Sequence, residues 1–308
     1  MHIAIVGSGA VGGYFGGRLA ASGSTVSFIA RGAHLDALRR DGLRLSSPLG
    51  DVHLPRVTAT DDPSSIGPAD VVFFTVKLYD TEAALRLLPP LIGADTIVIP
   101  FQNGVESVER IAEAVGREHT GGGTAYVAAV VERPGMIWHT ANNRLIFGEL
   151  DGSRSLRLEH LASACAAAGI DGRLSDRIEV DIWTKFVWLS VFSGVTAVTR
   201  LPVGVVREDP ELVALCQAAA MEAVAVGLRK RVPLPAEVFD SFLPMLQSLP
   251  PHARSSMLED LERGRRLELP WLSGAVVRLG EEVGVATPTH RFIASVLHPF
   301  VGGRPDAS

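Results

Sequence analysis

Through the first third of the chain, short apolar runs alternate with segments whose apolar residues recur every three to four positions. The runs are HIAIV (2–6), TVSFIAR (25–31), DVVFFTVK (70–77) and TIVIPFQNG (96–104). They are apolar at consecutive positions, as strands buried on both faces are. Between them, GAVGGYFGGRLAASG (9–23), AHLDALRRDG (33–42) and TEAALRLLPPLI (81–92) carry helical spacing. Strands alternating with helices predict a parallel sheet with crossovers, the doubly wound α/β arrangement. Between about 119 and 148 the pattern changes to two or three antiparallel strands, with turns at Pro134-Gly135 and Asn142-Asn143. A helix near 154–168 and a strand near 170–174 close this part.

From Ser175 on, the spacing is almost wholly helical. Ser175 or Asp176 is placed to cap a helix over 176–193. Further helices are predicted over about 210–230, 236–248, 253–262, 266–283 and 288–299, punctuated by Pro202, Pro233, Pro235, Pro250, Pro251 and Gly284. The reading is a Rossmann-like doubly wound domain over 1–174, followed by an all-α domain over 175–308.

Composition narrows the class. A chain of 308 residues, 47% hydrophobic and 20% charged, has the balance of a soluble globular protein with two domains. A net charge of -5 offers no basic footprint for nucleic acid. Cys165 and Cys216 lie far apart, outside metal or redox spacing, and read as small core residues in a reducing compartment. The N-terminal stretch lacks the charged region and cleavage site of a signal peptide. Glycines and charges interrupt each apolar run before the length of a membrane span. The expectation is a cytoplasmic protein with no membrane partner and no metal.

The candidate chemistry starts at the first strand–helix junction. GSGAVG places Gly7, Gly9 and Gly12 in G-x-G-x-x-G, with Ser8, Ala10 and Val11 between them. After a strand and before a helix, that spacing serves a dinucleotide: one glycine for the turn, one for approach of a pyrophosphate, one for helix–strand packing. The alternative is a tight turn with nothing bound. At the end of the second strand, where a site for NAD carries Asp or Glu, this chain has Arg31. A guanidinium there suits a 2′-phosphate and favours NADP(H); a solvated surface arginine is the competing reading.

Only three residues are lysine, Lys77, Lys185 and Lys230, among 29 Lys+Arg. Lys185 sits inside the apolar stretch DIWTKFVWLSVFSG. On a helix it shares a face with Asp181, and a snorkelling ion pair with that residue is one reading. The other is a desolvated amine that gives up a proton near neutral pH, which arginine cannot do.

Taken together, these motifs identify a resemblance. GSGAVG, Arg31, TVK ending at Lys77, QNG with Asn103, GGGTAYVAA, WTK with Lys185, SSML and Glu268 followed by SGAVVRLGEEVGVATPT occur in one order over nearly the whole chain. That ordered set resembles the ketopantoate reductase (2-dehydropantoate 2-reductase) family of NADPH-dependent enzymes. The resemblance implies a carbonyl substrate and, with it, pantothenate biosynthesis. It implies Lys185 as the general acid that protonates the carbonyl oxygen as hydride arrives, and Glu268 assisting it. It implies Asn103 at the nicotinamide and holding the lysine, Lys77 beside the cofactor, and Ser256 on the substrate carboxylate. Members of the family often pair as homodimers. Each residue keeps a plainer alternative: Asn103-Gly104 as a helix cap over 104–115, Lys77 as a strand-end charge, Ser255 and Ser256 as caps, Glu268 as a surface partner of Arg265 or Arg266. His290 reads as helix-entry packing, and His139 has no assigned role.

The chain departs from the family where a hydroxylated substrate would be recognised. Leu189, Ser193 and, approximately, Val203 stand where the family carries asparagines; Pro270 and Ser273 stand for its usual Asp and Asn. Loss of amides lowers discrimination for a substrate hydroxyl and favours apolar surface. Three functions follow: a 2-oxo acid reductase of the family's type, a same-family reductase for a less polar or bulkier carbonyl or imine, and a non-catalytic NADP(H) sensor.

Overall fold

The computed structural model describes residues 1–305. The chain divides into two compact units, one of residues 1–102 and 106–181, the other of residues 103–105 and 182 onward. The division falls inside a helix, a few residues beyond the Ser175 at which wholly helical spacing begins.

The first unit contains β1 (His2–Val6), α1 (Ala10–Ala21), β2 (Thr25–Ile29), α2 (Gly32–Asp41), β3 (Leu43–Ser46), β4 (Val52–Leu54), β5 (Thr58–Thr60), β6 (Val71–Phe74), α3 (Thr81–Leu85), β7 (Ile97–Pro100), α4 (Ser107–Val115), β8 (Gly121–Arg133), β9 (Met136–Glu149), α5 (Leu156–Ala167) and β10 (Asp171–Leu174). One sheet runs in the order β5-β2-β1-β6-β7, and its pairings are parallel. The predicted doubly wound arrangement is therefore present. The strand order reverses at β1, so β2 and β6 flank it, the place where such sheets receive ligands. Ile3, Ile5 and Phe73 go to one side of the sheet and Ala4, Val72 and Phe74 to the other, which explains runs with no polar alternation.

A second sheet, β10-β9-β3-β4 with β8 beside β9, completes this unit. The segment after 119 is one long hairpin turning at Pro134-Gly135. Asn142-Asn143 is no turn; Asn142 takes φ 59 inside β9, a left-handed conformation that asparagine tolerates. The short strands β3, β4 and β5 were absent from the sequence reading. The helix expected over 81–92 ends at Leu85 and gives way to a 3₁₀ turn at Pro89–Leu91, because two successive prolines lack the N–H groups a helix needs.

In the second unit, α6 (Ile178–Thr199) enters from the first and is followed by α7 (Val203–Glu208), α8 (Pro210–Arg229), α9 (Glu237–Asp240), α10 (Phe242–Ser248), α11 (Ser256–Glu262), α12 (Ser273–Val283) and α13 (Pro288–Leu297). All of its regular elements among the described residues are helical. Trp183 and Phe186 meet edge to face with centroids 5.4 Å apart, and Val187, Val191 and Val195 are buried beside them along α6. The helix expected over 266–283 starts only at Ser273, after a 3₁₀ turn at Leu269–Trp271 that holds Pro270. Contrary to the expectation that each apolar run is interrupted too early, α6 and α8 are by length and composition alone apolar enough to cross a membrane; most of the apolar window of α6 is buried inside the protein.

Candidate active site

The glycine loop joins β1 to α1 in the first unit. Gly7 has φ +97, and a Cβ there would lie 2.6 Å from the Val76 nitrogen. A Cβ on Gly12 would collide with the Gly7 carbonyl oxygen and Thr75 Oγ1. Gly9 differs: among the described residues beyond its chain neighbours, nothing lies within 4 Å of where its Cβ would be. Two of the three glycines are thus demanded by packing, and the third faces open space. Helix α1 has no side-chain cap and no acidic residue in its first turn, so the N–H groups around Ala10, Val11 and Gly12 lack intrahelical acceptors. Open space at Gly9 beside an uncapped, electropositive helix end fits the pyrophosphate of a dinucleotide.

Ser8 does not face that space. It is buried, its Oγ donates to the Ile29 carbonyl at 3.0 Å, and its backbone N–H points at the same oxygen. Its role is to tie the loop to the end of β2. Thr75, the first residue of TVK, donates to the Gly7 carbonyl at 2.8 Å and braces the loop from β6. His34, on the first turn of α2, accepts from the Gly135 N–H at 3.2 Å; burial lowers its imidazole below the ordinary value, with the Ser8 backbone acting in the opposite direction. Neither Thr75 nor His34 stands out in the sequence, because their partners lie 68 and 101 positions away.

Arg31 follows β2 and is exposed, and its guanidinium donates to Asp80 at 2.7 Å. Asp80 closes a 3₁₀ turn at Leu78–Asp80 beyond β6. A carboxylate therefore does stand beside this arginine, delivered from another strand. Lys77 is exposed at the start of that turn.

The second constellation, Asn103, Lys185 and Glu268, lies in the second unit, with Asn103 just past the end of β7 in the first. Gln102 is buried and donates to the Val76 carbonyl at 2.8 Å and to Thr81 Oγ1 at 3.0 Å, which fixes the chain where β7 ends. Asn103 follows it, and Gly104 turns away with φ 82. Helix α4 starts only at Ser107, so Asn103 is not its cap. The Asn103 side chain instead joins two charged groups. Its Oδ1 accepts from Lys185 Nζ at 3.1 Å, and its Nδ2 donates to Glu268 Oε2 at 3.2 Å. Glu268 is buried, and Arg265 pairs with Asp260. Asp181 accepts from Ser175 Oγ at 2.5 Å. Burial pulls the Lys185 ammonium down to about 8, against the Glu268 carboxylate, which raises it. The result is an amine that holds a proton at neutral pH and releases it within reach of that pH.

Other expected residues fall into different roles. Ser255, not Ser256, caps α11: its Oγ accepts from the Leu258 N–H at 3.1 Å and meets Thr196 Oγ1 at 2.7 Å. Ser256 is exposed on the first turn. Leu189 is half-buried one turn beyond Lys185 on α6. Ser193 and Ser273 are buried, and their hydroxyl oxygens have no hydrogen-bond partner among the described residues. Val203 is fully buried at the start of α7, so it belongs to the core. His290 packs at the entry to α13, with Nε2 3.0 Å from the Ala219 carbonyl. His139 stacks on Tyr14 and meets Ser47 Oγ at 2.8 Å, a structural role in the hairpin unit. Cys165 and Cys216 are buried, and burial pushes both thiols up to about 12.

The sequence profile described as Ketopantoate reductase PanE/ApbA matches residues 3–152, and that of the family's C-terminal part matches residues 177–300. The 2-dehydropantoate 2-reductase of Mesorhizobium japonicum is 34% identical over 310 residues, covering 94% of each chain. The Archaeoglobus fulgidus protein of the same name is 33% identical and covers 98% of each. The crystal structure of 2-dehydropantoate 2-reductase from Geobacter metallireducens superposes with a TM-score of 0.90 at 30% identity, over 97% of this chain and 99% of the other.

Proposed function

Because the chain belongs to the ketopantoate reductase family, we propose that it reduces a 2-oxo acid to a 2-hydroxy acid with NADP(H), Lys185 serving as general acid. A bound nicotinamide would supply the hydride. Gly9 and the first turn of α1 would receive the pyrophosphate, and Arg31 the 2′-phosphate. Lys185 would deliver its proton to the carbonyl oxygen and stabilise the charge that develops there. Asn103 holds the amine by its Oδ1 and the Glu268 carboxylate by its Nδ2. Glu268 keeps the amine charged at neutral pH despite burial. The exposed Ser256 hydroxyl would meet the substrate carboxylate.

The observation that carries this reading is the Lys185–Asn103–Glu268 arrangement. A buried carboxylate and a half-buried amine joined through one amide form a proton-holding device, and cofactor binding alone requires none.

One observation favours a narrower reading of the substrate. Leu189 presents an apolar side chain one turn from the amine, and Val203 is core. Neither offers a hydrogen bond to a substrate hydroxyl. We therefore expect a 2-oxo acid with a less polar tail than ketopantoate to be preferred. The test is the rate of NADPH oxidation by purified protein with ketopantoate and a series of aliphatic and aromatic 2-oxo acids. A higher kcat/KM for an apolar 2-oxo acid supports the narrower reading, and a large ketopantoate preference removes it. No oxidation with any of these acids would contradict the reductase reading itself.

A further inference from the structure

The end of β2 carries no carboxylate, yet Asp80 stands 2.7 Å from the Arg31 guanidinium. The two residues come from the ends of the strands that flank β1, so their ion pair spans the end of β1 where the glycine loop begins. Asp80 is the more fixed partner. It ends a 3₁₀ turn whose first residue, Leu78, is buried, and its N–H donates to the Lys77 carbonyl at 2.8 Å. Arg31 has 76% of its side chain exposed, against 26% for Asp80. An exposed pair of this kind is weak, and exchange of partners by the arginine costs little.

We propose that Asp80 sets the cofactor preference of this site, limiting its selectivity for the 2′-phosphorylated dinucleotide and admitting the unphosphorylated one. This inference rests on the dinucleotide reading of the glycine loop given above. A 2′-phosphate drawn to Arg31 must share the guanidinium with a carboxylate of like charge. A ribose carrying a free 2′-hydroxyl meets no such repulsion, and that hydroxyl can donate to Asp80. Asp80 then performs from β6 the task that an acidic residue at the end of β2 performs in sites for NAD. The chain thus combines a cation for the phosphate with an anion against it.

The test is equilibrium binding of NADP⁺ and NAD⁺ by calorimetry, which needs no turnover, to the wild type, Asp80→Asn and Arg31→Ala. Asparagine keeps the size and hydrogen-bonding reach of Asp80 and removes its charge. The ratio of NAD⁺ to NADP⁺ dissociation constants should rise by about fivefold to tenfold in Asp80→Asn, through tighter NADP⁺ binding, and the gain should shrink as salt screens the charge. In Arg31→Ala the ratio should fall. A ratio unmoved by Asp80→Asn while Arg31→Ala lowers it overturns the role of Asp80 and leaves the functional reading intact. A wild type that binds neither dinucleotide overturns both.

Discussion

Lysine at 185 differs from arginine, this chain's usual cation, in one chemical respect: it can release a proton. Burial brings its ammonium to about 8, and the Asn103 carbonyl oxygen accepts from the charged form. For reduction the acid must be protonated, so kcat/KM in the reductive direction should be level below about pH 8 and fall tenfold per pH unit above it. Asn103→Leu removes an acceptor that favours the ammonium, and the break in the profile should move to lower pH. A break at the same pH in this variant would separate the amide from the amine. The scarcity of lysine made residue 185 visible in the sequence. Its partners became visible only through the family resemblance, since Asn103 lies 82 positions away and Glu268 lies 165 from Asn103. Asp80 was not visible at all: nothing in TVKLYD says that its turn brings a carboxylate to the end of β2. The neighbouring serines 255 and 256 were equivalent as caps on paper, and the buried contact with Thr196 decides between them.

At the scale of elements, the β1–α1 junction separates packing from binding within one motif. Gly12→Ala drives a methyl group into the Gly7 carbonyl and Thr75, and overpacking of this kind costs about 1–3 kcal/mol. Gly9→Ala meets, among the described residues beyond its chain neighbours, no atom within 4 Å. Denaturant unfolding should therefore show Gly12→Ala destabilised and Gly9→Ala close to wild type, while NADP⁺ binding should weaken in Gly9→Ala because the methyl occupies the pyrophosphate's approach. Normal NADP⁺ affinity in Gly9→Ala would place the dinucleotide elsewhere. The strands of the parallel sheet were legible because burial on both faces leaves uninterrupted apolar runs. The strands β3, β4 and β5 were not, being only four, three and three residues long with few apolar positions to alternate. Three expected helices are interrupted: the one over 236–248 breaks at Ser241 into α9 and α10, and two others break at prolines inside a helical pattern, where Pro89-Pro90 and Pro270 convert the segment to 3₁₀ turns. The turn at Pro270 places Glu268 ahead of the helix, where it is buried and meets Asn103.

For the molecule as a whole, the groups proposed to hold the dinucleotide and the groups proposed to transfer the proton belong to different units. Gly9, Arg31 and Asp80 are in the first; Asn103, Lys185 and Glu268 are in the second. The three-residue segment Asn103–Val105 leaves the first unit and returns to it, which the onset of helical spacing near Ser175 does not announce. This division makes binding and turnover separable by mutation. The direct measurement is steady-state reduction by Lys185→Arg with the best 2-oxo acid found for the wild type, beside calorimetric NADP⁺ binding. Arginine keeps the charge and cannot give up the proton. The predicted result is a kcat lowered by about 10²–10⁴-fold with NADP⁺ affinity within about twofold of wild type. A Lys185→Arg protein that turns over at nearly the wild-type rate would contradict the assignment of Lys185 as the proton donor.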